Sequence, residues 1–178
     1  MKIPLNFLLT LVLSVAAFIC IGGRSASNIP FGIRQDDAAF LVKAAVGDMM
    51  EVELGQLAQI NSLEPVVKDI GSKMVRDHGQ HADRIKALAT AKNIAIPATL
   101  SDDQQKIKEG LQKKTGAEFD KEYIDLLIDD HKRSIREFEK EATGGSDKEI
   151  KAFADSSLQM MHAHLDAAEN YKKTTIKN

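Results

Sequence analysis

The sequence predicts an all-α protein, a four-helix bundle with a long crossover between its second and third long helices that contains a short helix. Four long stretches repeat apolar residues every three or four positions, and each is bounded by residues that begin or end helices. Sustained alternation of apolar and polar residues, which is typical of strands, is nearly absent. The long stretches form two tightly joined pairs, and a 24-residue connection at 93–116 separates the pairs.

The first 27 residues are expected to direct export. Lys2 precedes an almost wholly apolar run from Leu5 to Ile21, and small residues follow that run, which is the pattern of a signal peptide. The alternative is an uncleaved anchor in the inner membrane, because the run approaches the roughly 20 residues that a membrane span needs. We therefore predict a periplasmic or secreted protein with a signal peptide at 1–27, a linker at 28–35 and a bundle domain at 36–178.

The helix boundaries follow from capping signals. Asp36 and Asp37 suit the start of the first helix, and Pro65 is tolerated in the first turn of the second. Ser101 and Ser146 each open a capping box, with Gln or Glu three residues later. The long helices are predicted at about 36–60, 62–92, 117–142 and 146–173, and the short helix at about 101–115.

Composition excludes several classes of function. The net charge is −2 for the whole chain and −4 after residue 27, with the two signs mixed along the chain and no tryptophan, so nucleic-acid binding is not predicted. The single cysteine, Cys20, lies in the signal segment, and we expect neither disulfides nor thiol chemistry in the bundle. The sequence contains no phosphate-binding glycine loop, zinc-protease motif or nucleophile with an adjacent base, so it favours a protein that is not an enzyme.

Each long helix carries an ionisable residue in its predicted buried stripe. Glu53 lies in the first helix, His78 and His81 in the second, His131 in the third and His164 in the fourth. Burying such groups costs several kcal/mol unless they are paired, neutralised or bound to a metal, and metal sites in bundles are built from facing helices. These five residues are therefore the predicted metal ligands.

The rise of an α-helix predicts which of these residues meet. At about 1.5 Å per residue, His78 and His131 come to similar heights in a bundle with a crossover. Glu53 and His164 come level with each other, about 9 Å away from that pair. We expect a His78–His131 pair with Glu53, His81 and His164 as candidate neighbours. Because the two pairs lie at different heights, a single site that contains both pairs is not expected.

A short internal repeat surrounds the expected pair. Two apolar residues, any residue, Asp and His occur in that order at Met74–His78 and again at Leu127–His131, which indicates two related helical hairpins. The aspartates of the repeat, Asp77 and Asp130, either orient an imidazole of a partner helix or are simply solvated.

The residue types favour copper or zinc over a di-iron centre. Carboxylate di-iron bundles need Glu-x-x-His, whereas Val75, Ile128 and Met161 stand three residues before the histidines. Imidazoles, one carboxylate and nearby thioethers suit copper or zinc better. The thioethers, Met50, Met74 and Met161, have the simpler role of filling the core.

Five stretches of the chain carry a resemblance to a known family. They are Glu51–Ala58, Met74–His78, Phe119–Ile124, Asp130–His131 and His164–Ala168. In order and spacing they resemble domain-of-unknown-function family 4142, whose members are secreted bacterial proteins. The resemblance implies a ferritin-like four-helix bundle and export, and it implies no established biochemistry. It places Glu53, His78, His131 and His164 on the matching stretches.

Two functions stay open from the sequence. The first is an exported protein that binds copper or zinc through inward histidines in envelope or metal stress. The alternative is a non-catalytic structural or interaction module of the cell envelope, with a buried Glu/His hydrogen-bond network and no metal. The expected partner is a metal ion, and a membrane is involved only if the N-terminal segment stays uncleaved.

Overall fold

The computed structural model describes residues 33–175, and the predicted signal peptide at 1–27 lies outside them. These residues form five helices and, between 33 and 175, no strand. The helices are α1 Gln35–Asn61, α2 Pro65–Ala91, α3 Asp102–Gln112, α4 Gly116–Gly144 and α5 Lys148–Thr175. The all-α prediction is confirmed. Of the five helices, none combines the length and the apolar character needed to cross a membrane.

Contacts between helix ends fix the directions of the helices. α1 packs on α2 and α4 packs on α5, and the α1–α4 and α2–α5 interfaces join the two hairpins. Asp37 at the start of α1 accepts hydrogen bonds from the backbone amides of Ser146 and Asp147, just after α4. Asn61 at the end of α1 donates to the carbonyl of Gln112, just before α4. α1 and α4 are therefore antiparallel, and α2 and α4 are parallel.

The segment between α2 and α4 runs along the whole bundle. It begins at Lys92, whose ammonium group pairs with Asp147 at the α4–α5 turn, and it ends at the α1–α2 turn. Between these ends α3 packs on α1 and α4 and buries Leu111 completely. The predicted crossover with its short helix is confirmed, and this is the connectivity of ferritin-like bundles.

The helix caps agree with the sequence at α3 and differ at two other ends. The hydroxyl of Ser101 accepts from the amide of Gln104, whose side chain accepts from the amide of Ser101, so the predicted capping box is present. At α5, Asp147 rather than Ser146 caps the helix, because its carboxylate accepts the amides two and three residues later. Asp37 was expected to favour the start of α1, but it is buried and binds the α4–α5 turn instead.

The core consists of two apolar clusters with a polar layer between them. One cluster, which includes Leu57 and Tyr123, lies toward the α1–α2 turn. The other, which includes Leu41 and Ile85, lies toward the α4–α5 turn. The polar layer occupies the middle of the long helices, where apolar side chains exclude water from both sides.

A close contact between α1 and α2 determines which α1 residues face this layer. A methyl group on Gly55 would lie 2.6 Å from the carbonyl oxygen of Gly71, so the two backbones approach in a way that a side chain would prevent. Asp48 lies seven residues before Gly55, and His78 lies seven residues after Gly71. Because the helices are antiparallel and seven residues are about two turns, the glycine contact places Asp48 directly opposite His78.

Candidate metal centre

Four predicted histidines lie together in the polar layer. His78, His81, His131 and His164 each expose 4% or less of their surface. The ring centroid of His78 is 5.5 Å from that of His131 and 5.1 Å from that of His164, and the rings of His131 and His164 are 5.4 Å apart. The structure therefore brings the expected pair together and adds His164 to it.

His164 lies closer to the pair than its predicted height allowed. His131 lies 13 residues before the end of α4, and His164 lies 16 residues after the start of α5, so the axial offset is about 4.5 Å rather than 9 Å. Side chains lean toward the N-terminus of their helix. Because α4 and α5 are antiparallel, these two rings lean toward each other and close the offset.

Glu53 does not belong to the polar layer, which corrects its predicted place. Its carboxylate pairs with Lys108 of α3, and its side chain is 36% exposed. Ile60, at the predicted end of the first helix, is 75% exposed although it is large and apolar. The buried face of α1 instead passes through Gly55 and Ala58, because small residues let α2 approach closely.

Two carboxylates that the sequence analysis missed are buried in place of Glu53. Asp48 and Glu51 expose 3% and 4% of their surface. Both fall on the face that Leu41, Gly55 and Ala58 define at spacings of three and four residues. That spacing of small residues was the signal that could have found them.

Asp48 binds both histidines of α2. Nδ1 of His78 donates to Oδ1 of Asp48 and Nδ1 of His81 to Oδ2, both at 2.8 Å. Nε2 of His81 lies 2.8 Å from Oγ of Ser157, and the ring stacks on Phe153 at 4.8 Å. His81 thus holds Asp48 in place. Nε2 of His78 is buried and has no hydrogen-bond partner among residues 33–175.

The remaining two rings are oriented by acceptors that fix their tautomers. Nδ1 of His131 donates to the carbonyl oxygen of Leu127 at 2.9 Å, and Nε2 of His164 donates to Oδ2 of Asp77 at 2.9 Å. In neutral rings the other two nitrogens, Nε2 of His131 and Nδ1 of His164, carry lone pairs. These two atoms face each other at 3.3 Å.

The other residues that the sequence singled out divide between the layer and its surroundings. Asp77 orients His164, one of the two roles considered for it. Asp130 pairs instead with Arg133. Met50 and Met161 are buried in the two apolar clusters, as core-filling residues are.

Burial determines the protonation of the cluster. Burial, together with the charges of His78 and His164, lowers the pKa of His131 to about 3, and burial lowers the pKa of His164 to about 4. Burial acts in the same direction on His78, but the hydrogen bond to Asp48 and the nearby charge of Glu51 outweigh it and raise its pKa. Burial raises the pKa of Glu51 to about 7. At neutral pH the facing nitrogens of His131 and His164 therefore carry no proton.

The geometry of the three rings fits a small cation. His78, His131 and His164 can each offer one nitrogen within 4.8 Å of the others. Two nitrogens bound to one tetrahedral ion at about 2.0–2.1 Å lie about 3.4 Å apart, close to the 3.3 Å between His131 and His164. His81 belongs to a second group with Asp48 and His78, but its hydrogen bonds are complete without an ion.

A cavity of about 330 Å³ lies between α1 and α4 and reaches the layer. His78, His131, Asp48 and Glu51 line it from the layer. Most of its remaining wall is apolar, and the crossover covers part of it through Ile107 of α3. Two of the three clustered rings are therefore accessible from this cavity.

Solved structures share the fold at low sequence identity. The chain of CopM in the Cu(I)-bound form is 16% identical, with a TM-score of 0.64 over 77% of this chain and 95% of that chain. CopM in the Ag-bound form is 15% identical, with a TM-score of 0.65 over 79% and 98% of the two chains. A DUF305 fragment from Deinococcus radiodurans is 10% identical, with a TM-score of 0.68 over 78% and 95%. These similarities show the helical-bundle fold alone.

The sequence comparisons identify the family. A search of curated proteins finds no match. The model of the family described as Domain of unknown function (DUF4142) matches residues 24–171, a range that contains the clustered histidines and both buried carboxylates. The chain therefore belongs to the DUF4142 family of domains of unknown function, as its matching stretches predicted.

Proposed function

We propose that this protein binds one transition-metal ion, copper or zinc, through His78, His131 and His164. The observation that carries the proposal is the pair of unprotonated nitrogens of His131 and His164, which face each other at 3.3 Å in a buried layer. Two lone pairs at this distance repel each other unless a cation lies between or beside them. His78 supplies the third nitrogen, because its Nε2 has no hydrogen-bond partner in the described part of the chain.

The outer contacts of the three rings support the same proposal. A metal-bound histidine usually donates its second ring N–H to a carboxylate or a backbone carbonyl, which fixes its tautomer and orientation. Asp48 accepts this N–H from His78, the carbonyl of Leu127 accepts it from His131, and Asp77 accepts it from His164. Neutral imidazoles are good ligands for copper and zinc.

The structural neighbours favour copper as the first ion to test. CopM is described in Cu(I)-bound and Ag-bound forms, so another bundle of this fold holds such ions. With a signal peptide predicted at 1–27, we place the proposed role in the periplasm or outside the cell, in envelope or metal stress.

The alternative is a structural module in which the histidines form only a buried network. It is favoured by the complete hydrogen bonding of His81 between Asp48 and Ser157. It is also favoured by the raised pKa of His78, because the hydrogen bond that His78 donates to Asp48 and the nearby negative charges together outweigh burial. A proton on Nε2 of His78 would then supply the positive charge that the metal supplies in the first proposal.

Metal content and thermal stability distinguish the two proposals. An ion that binds only the folded protein stabilises it by about 2.7 kcal/mol at a concentration 100-fold above its Kd. We expect one ion per chain and a higher Tm with copper or zinc, and we expect both to be lost in a variant with His131→Gln and His164→Asn. The matched control is His162→Ala, because His162 is exposed on the same helix as His164.

Two results would contradict the proposed metal site. A rise in Tm that survives the double substitution would place the bound ion elsewhere. If the wild-type protein binds no ion at neutral pH and melts at the same temperature with and without chelator, the structural alternative is correct.

A further inference from the structure

We infer that the metal centre takes a fourth ligand from outside the chain, a small organic molecule with an apolar body and one neutral nitrogen or sulfur donor that occupies the cavity between α1 and α4. This inference rests on the proposed metal site and names what else that site binds.

The coordination number supports an exchangeable position. Structural zinc sites in proteins almost always have four protein ligands. Catalytic zinc sites have three protein ligands and leave the fourth position to water or a substrate. The proposed centre has three ligands, His78, His131 and His164. His78 and His131 line the cavity and His164 does not, so the cavity meets the centre at the rings of His78 and His131. The free position therefore faces the cavity.

The size and walls of the cavity select an apolar body. Its volume of about 330 Å³ is within the range of about 300–1,000 Å³ that small-molecule sites occupy, and such sites combine apolar walls with a few convergent polar groups. The walls include Ala44, Leu54, Leu126 and Phe138. A planar molecule with one or two rings would replace water against these side chains.

The charges around the cavity select a neutral donor. Asp48 and Glu51 line it next to the centre and are both buried, so an anion that approached the metal would meet two carboxyl groups. The cations at its edge, Lys43 and Arg133, are already paired with neighbouring carboxylates. Oε2 of Glu51 is buried without a hydrogen-bond partner among residues 33–175, and it is placed to accept an N–H from a ligand such as an azole.

The test uses the full-length exported protein loaded with one equivalent of Cu²⁺, followed by visible absorption and electron paramagnetic resonance. The probes are 4-phenylimidazole, imidazole and azide. We expect a saturable spectral change with 4-phenylimidazole, which binds more than about tenfold tighter than imidazole because its phenyl ring is buried in the apolar cavity. Azide, which is an anion, is expected to bind more weakly than either azole.

A cavity-filling variant with a matched control locates the ligand. Gly47 lines the cavity, and a Cβ added there meets no atom within 4 Å, so we expect Gly47→Leu to fill part of this space. We expect it to retain copper and to lose about tenfold or more in affinity for 4-phenylimidazole. Gly79→Leu is the control, because a Cβ at Gly79 also meets no atom within 4 Å and Gly79 does not line the cavity.

The possible failures are distinguishable. If the protein binds no copper, the proposed function is wrong and the inference fails with it. If copper binds but 4-phenylimidazole leaves the spectra unchanged, only the inference is wrong. If the ligand binds equally well to Gly47→Leu, the cavity between α1 and α4 is not its site.

Discussion

At the proposed site, metal binding in mildly acidic solution should release about one histidine proton per ion, although the site has three histidines. A histidine with its ordinary pKa of about 6.5 is roughly 90% protonated at about pH 5.5, so three ordinary ligands would release about 2.7 protons. In this structure burial lowers the pKa of His131 to about 3 and that of His164 to about 4. Neither therefore carries a proton at that pH. Burial lowers the pKa of His78, but the hydrogen bond to Asp48 and the nearby charges of Glu51, Asp48 and Asp77 together outweigh it and raise the pKa, so His78 releases the one proton.

The proton of Glu51 must be separated from that of His78 when the protons released on metal binding are counted. Burial raises its pKa to about 7, so it is protonated under the same conditions, and a bound cation nearby would expel up to about one further proton. We therefore expect about one to two protons from the wild type and about one from Glu51→Gln. Isothermal titration calorimetry in buffers of different ionisation enthalpy measures this number.

The sign of the pH dependence follows from the same pKa values. A ligand must be deprotonated to bind a metal, so metal affinity falls as the pH drops through the raised pKa of His78. In Glu51→Gln it should fall about tenfold per pH unit, because one proton competes. Release of two or more protons by Glu51→Gln would show that His131 and His164 are not held neutral, and the proposed hydrogen-bond network of the three rings would then be wrong.

Three substitutions outside the proposed metal ligands have defined outcomes. Asp48→Asn replaces one acceptor of a histidine N–H with a donor, so metal affinity measured by calorimetry should fall about 10- to 100-fold. Gly55→Ala places a methyl 2.6 Å from the carbonyl oxygen of Gly71, so chemical denaturation should show a loss of about 2 kcal/mol despite the better helix propensity of Ala; a gain in stability would refute the close contact. Asp37→Ala removes the acceptor for two backbone amides of the α4–α5 turn and should cost about 2 kcal/mol, whereas exposed Asp36→Ala should change the unfolding free energy little.

The helices and the histidines were predictable because their signals are local. A helix repeats every 3.6 residues, so apolar positions three and four apart identify its buried face wherever those positions hold large side chains. This is true of α2, α4 and α5, and it placed His78, His131 and His164 correctly in the interior. The capping box of Ser101 is also local, since it joins residues three apart.

The face of α1 was not predictable in the same way. Its buried side is made partly of Gly55 and Ala58, and small residues leave a weak apolar signal. The contact between Gly55 and Gly71 decides how α1 is rotated against α2, and this contact exists only after the two helices have packed. The sequence therefore placed Glu53 inside, where the structure places Asp48 and Glu51.

The tautomers and protonation of the clustered histidines also depend on contacts that exist only after the helices have packed. By itself, the sequence determined which helices form and which of their faces carry histidines, because both depend on neighbours within a few residues. The partners that fix the tautomers of the rings come from distant segments, as in the 87-residue separation of Asp77 and His164. Burial by four converging helices lowers the pKa of His131. Desolvation and hydrogen bonding act through space rather than along the chain, so only the packed bundle leaves the nitrogens of His131 and His164 unprotonated and facing each other.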